Sequence, residues 1–89
     1  MREIDDIMHA EDVLQRGLSE LAARIADGAR NDEETSRLLR HCVKASRLLG
    51  DMLAKAGDGE AEIAAKARIA SLNLRLADLQ DAFARKRVH

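Results

Sequence analysis

Apolar residues recur by threes and fours along three stretches of the chain. Ile4, Ile7, Leu14, Leu18, Leu21 and Ile25 keep that alternation in the first, with Glu11 at one of its positions. Leu38, Cys42, Ala45, Leu49, Met52 and Ala56 keep it in the second, and Ala65, Ile69, Leu72, Leu76, Leu79 and Phe83 in the third. Such spacing sets each series on one face of a helix, and each face must be buried against another helix. The pattern predicts an all-α fold: an antiparallel, coiled-coil-like three-helix bundle running up, down and up over residues 3–27, 32–56 and 60–86. Each helix would be about 38 Å long, and matched lengths with short turns favour this packing.

The punctuation agrees with the periodicity. Gly28 is placed to end the first helix. Asn31 is a candidate cap for the second, with Glu34 three residues later completing a capping-box pattern. Gly57-Asp58-Gly59 reads as the second turn. Asp12/Arg16, Glu20/Arg24, Glu33/Arg37, Asp51/Lys55, Glu62/Lys66 and Asp81/Arg85 are acid-to-base pairs four apart, the favourable order on a helix. At 89 residues the chain is read as one domain spanning 1–89, near the lower size at which one core suffices.

Composition narrows the picture. Phe83 is the single aromatic and there is no proline, so the core must be closed by aliphatic side chains on uninterrupted helices. Fifteen basic residues against sixteen acidic ones leave a formal charge of −1, which disfavours a general nucleic-acid or anionic-membrane binder. One cysteine, Cys42, allows no internal disulfide and fits a reducing compartment; its seam position suggests a small, inert core residue. The acidic start lacks the apolar run of a signal peptide, and no stretch is long and apolar enough to span a membrane. A cytoplasmic location is the expectation.

Helix three carries a second ladder on its opposite side: Ile63, Ala67, Ala70, Leu74 and Ala77. A helix with two apolar seams asks for two partners, so this face is the candidate site for a protein partner or a second copy of the chain. Leu39, Val43, Ser46, Gly50 and Leu53 flank the main stripe of helix two, as expected of a helix touching two neighbours. Glu11, in the first seam, either frays outward or pairs with a base across the seam and fixes register.

Isolated chemistry is sparse. His41 lies on a basic face with Arg37, Arg40, Lys44 and Arg47, and no acid falls between Ser36 and Gly50. The stretch His41-Cys42-Val43-Lys44-Ala45-Ser46 resembles the histidine-phosphotransfer motif, an exposed helical His followed three residues later by Lys. That resemblance implies a phosphoryl acceptor at His41 with Lys44 holding its charge. Ala45 stands where the family usually has Gly, and the family uses a four-helix bundle. Asp5, His9 and Asp12 share a helix face, but no fourth ligand is in view. Arg85-Lys86-Arg87 complements the dipole of the last helix. No catalytic set, phosphate loop or paired-Cys site occurs.

In size and helical format the chain resembles the small co-chaperones of bacterial type III secretion needle proteins; the likeness is one of format. The expectation is therefore a non-enzymatic protein–protein interaction module, acting as a self-associating bundle, an adaptor or a small chaperone. No cofactor, metal or small-molecule substrate is expected. The alternatives are a phosphorelay carrier using His41 and a weak nucleic-acid binder using the basic face of helix two.

Overall fold

A computed structural model describes residues 2–28 and 33–87 and, within them, the side chains of 5–28 and 33–85. Three helices form: α1 (Arg2–Ala26), α2 (Glu33–Lys55) and α3 (Glu60–Arg87). These bounds lie within one residue of those read from the periodicity. The proposed cap Asn31 and the seam side chain of Ile4 lie outside the described residues, as do the side chains of Lys86 and Arg87. Gly28 closes α1 as expected. Its φ of 86° is left-handed, and its N–H donates to the carbonyl of Ile25. At the other turn the carbonyl of Gly59 accepts from the Ile63 N–H, which makes Gly59 the N-cap of α3. The Glu62 carboxylate curls back over Gly59, into the space a Cβ there would take. Lys66 pairs with Asp58 at 3.2 Å rather than with Glu62.

Long-range contacts give the direction of each helix. Gly17 faces Cys42 and Arg24 reaches Glu34, so α1 and α2 run antiparallel. Ser46 hydrogen-bonds Asn73 while Asp58, just past α2, pairs with Lys66, so α2 and α3 run antiparallel too. α1 and α3 are therefore parallel, and Glu11 meets Arg68 between them. All three pairs of helices pack, α1 most extensively with α2 and α2 least with α3. The result is the up-down-up bundle that the spacing predicts, a rod of 46 × 18 × 17 Å.

The core follows the ladders. Ile7, Leu14, Leu18, Leu21 and Ile25 of α1 are buried against Cys42 and Leu49 of α2 and against Ala65, Ile69, Leu76 and Phe83 of α3. Leu53, read as a flanking position, is also buried, and Thr35 joins it at full burial. Among the described residues no buried side-chain nitrogen or oxygen lacks a hydrogen-bond partner. Leu72 and Leu79, expected in the core, are only half-buried. Both still pack against the core cluster.

Glu11 takes the second of its two expected courses. Its carboxylate accepts from Arg68 Nε at 2.8 Å and from Nη2 at 3.1 Å, a two-pronged contact that keeps Glu11 largely covered at the seam. The bond and the charge of Glu11 together push the Arg68 guanidinium above its ordinary range. Asp12–Arg16, Glu20–Arg24 and Glu33–Arg37 form as predicted, and Arg24 also reaches Glu34 of α2 at 3.4 Å. Burial, and secondarily the charge of Glu20, push the Cys42 thiol up, which disfavours the thiolate and leaves this sulfur unreactive.

Gly17 explains how closely α1 and α2 approach. A Cβ at this position would stand 3.0 Å from Cys42 Sγ, and Cys42 is wholly buried. Gly17→Ala should therefore destabilise the bundle. The gain of about 1 kcal/mol in helix propensity is outweighed by an overpacking cost of about 1–3 kcal/mol. Adding Cys42→Ala should recover much of the loss, because the new methyl fills the volume the sulfur leaves; urea melts of the four members of the cycle measure the coupling. A second expectation concerns the main seam. Leu76, 6% exposed, should cost about 2–5 kcal/mol when cut to Ala. That is a large share of a total of about 5–15 kcal/mol, and an unchanged melting midpoint in Leu76→Ala would contradict the packing described.

Candidate interaction surface

The two seams of α3 meet different surroundings. Ala65, Ile69, Leu76 and Phe83 turn inward, whereas Ile63, Ala67, Ala70, Leu74 and Ala77 are all exposed. Ile63 is 56% and Leu74 71% exposed, the two largest side chains of a strip that neither α1 nor α2 covers. Fourteen residue steps of helix from Ile63 to Ala77 make the strip about 21 Å long. The Asp58–Lys66 ion pair lies near its N-terminal end, and the exposed acids Asp78 and Asp81 follow its C-terminal end. Isolated exposed leucines are ordinary on a soluble protein; a rigid row of apolar side chains in water is not.

A second apolar feature was not foreseen from the pattern. Between α1 and α2, on the side away from α3, runs an open groove of about 440 Å³. Ala10, Val13, Ala45 and Leu48 form its apolar part, and His9, His41 and Lys44 are its polar lining residues. Leu48 is 57% exposed, and no carboxylate is among the seven lining residues. The ladders hide this groove because Val13 and Leu48 fall beside the seams. The signal available was that both are apolar residues on otherwise polar faces.

His41 and Lys44 thus line one groove, a helical turn apart, both exposed. Arg40 and Arg47 are exposed along the same ridge of α2, and with Lys44 they line a second groove of about 430 Å³ toward α3, together with Leu39, Val43 and Gln80. Arg37 is drawn off by Glu33 at 3.3 Å. On α1, Asp5, His9 and Asp12 are exposed, with Asp12 engaged by Arg16 at 3.1 Å. Among the described residues no group of three or more His, Cys, Asp or Glu is placed to hold a metal ion, and no helix is long and apolar enough to cross a membrane.

No family model matches the chain, and neither a curated protein nor a solved structure does. The grounds for a functional reading are therefore the bundle itself and the two apolar surfaces it leaves open.

Proposed function

We propose that this chain is a non-enzymatic helical interaction module, a small adaptor or chaperone-like bundle that offers the outer face of α3 to another helix. The observation that carries the reading is the exposed strip from Ile63 to Ala77, with Leu74 at 71% exposure. The bundle is complete without it, since the inward seam of α3 already meets α1 and α2. Three alanines let a partner helix approach closely, and Leu74 supplies the anchor. A rod this thin offers surfaces rather than an enclosed substrate pocket, which also favours binding over catalysis. The setting would be the cytoplasm, in keeping with a single buried thiol.

The rival reading is a phosphorelay carrier, favoured by the exposure of His41 beside Lys44 in one groove. A nucleic-acid role for Arg40, Lys44 and Arg47 is weaker, because the net charge is −1 and no aromatic accompanies them.

Leu74→Glu should leave helicity close to wild type by circular dichroism, since the side chain is exposed in the free bundle. It should abolish association, whether with a second copy or with a protein of the host, because the new charge would be buried unpaired in the contact. Sedimentation of wild type and variant, with and without host extract, reads the outcome. A wild type that stays monomeric and captures nothing through this face would contradict the proposal. His41→Gln is expected to be silent, and the protein unmodified by response-regulator phosphodonors. A phosphohistidine signal lost in His41→Gln would replace the adaptor reading with the phosphorelay one.

A further inference from the structure

We infer that the C-terminal part of the α3 strip, from Leu74 onward, docks on a second copy of this chain, whose α1/α2 groove receives it. The inferred contact presupposes that the strip is a docking face and adds what docks there. Along α2, the groove residues Leu48, Lys44 and His41 succeed one another at intervals of four and three. Along α3, Leu74, Asp78 and Asp81 do so at the same intervals in the opposite chain direction. An α3 laid antiparallel to α2 of the neighbouring copy therefore sets Leu74 onto Leu48 and Val13. Asp78, about 6 Å further along, then falls beside Lys44, and Asp81, about 10 Å along, beside His41.

Charge complementarity supports this occupant over a generic helix. The polar residues lining the groove are two histidines and a lysine, with no carboxylate, and the strip is followed by two exposed acids. Among the described residues none of Lys44, Asp78 and Asp81 is engaged in an ion pair within its own copy. Seating α3 in the groove supplies a fourth helix to the α1/α2 pair, the commonplace way to close such a bundle.

The groove lies on the side of the bundle away from α3, and the strip faces away from α1 and α2. A copy that fills a neighbour's groove keeps its own groove open, so the contact is heterologous and propagates head to tail instead of closing as a twofold dimer.

Sedimentation velocity of the full chain over about a hundredfold range of concentration should show species that keep growing with concentration. Leu48→Glu, which spoils the groove, and Leu74→Glu, which spoils the strip, should each be monomeric. Both side chains are exposed in the free bundle, and unchanged thermal melts confirm that both variants fold. Mixed in equal amounts, the two variants should form a discrete 1:1 complex, because one supplies an intact strip and the other an intact groove. Lys44→Asp should weaken self-association by a factor of about 2–5, and adding Asp78→Lys should restore it. Three results would overturn the inference. A wild type monomeric at every concentration would do so, leaving the strip to a foreign helix if host extract is captured through Leu74. A wild-type dimer that Leu48→Glu leaves intact would mean strip-to-strip pairing. A mixture of the two variants that stays monomeric while wild type associates would also overturn the inference.

Discussion

Leu14, Leu18 and Leu21 of α1 are buried where α2 and α3 both reach them, and the rest of the bundle is arranged around that shared burial. With a single aromatic in the chain, no large side chain spans the middle of the rod, so the helices must come close. Gly17 opposite Cys42 is where α1 and α2 do so, and the sulfur fills the space that a larger residue at 17 would need. α3 is held more by α1 than by α2, through Leu76 and Phe83 in the core and through the Glu11–Arg68 contact that sets its register. A core built this way is narrow, and a narrow rod leaves much of each helix outside.

The outward faces are where the three helices differ. α1 and α2 turn chiefly polar residues to water, except along the groove between them. α3 turns out a second apolar row, so its sequence meets two demands at once, one satisfied within the bundle and one not. The groove lining holds Lys44 and no carboxylate, and two exposed acids follow the strip. Coulombic terms between exposed groups are small and screened by salt. In the proposed contact their role would be to choose register and orientation, while Leu74 and Leu48 would supply the apolar area.

The fold was legible because its determinants are local and periodic. Three ladders of threes and fours, a glycine that needs a positive φ and a Gly-Asp-Gly turn are each readable without knowing what lies across the bundle. Features that depend on a neighbour were not. Thr35 and Leu53 are buried although neither belongs to the apolar ladder of α2, and Leu72 and Leu79 are only half-buried although they lie on that of α3. Lys66 pairs with Asp58 across the turn rather than with Glu62 on its own helix. The exposed strip of α3 could be named residue by residue, since its spacing is as regular as that of the core. The α1/α2 groove could not, because it is shaped by two helices and no single one bears its pattern.

Backbone amide chemical shifts recorded over a concentration series test the central claim most directly, that the outer face of α3 is a contact surface with a complement on the same chain. Shifts on α3 between residues 63 and 81 and shifts on residues 9–13 and 41–48 should move together and fit one dissociation constant, with the inward seam unmoved. Spectra that stay constant with concentration, or changes confined to α3, would contradict it.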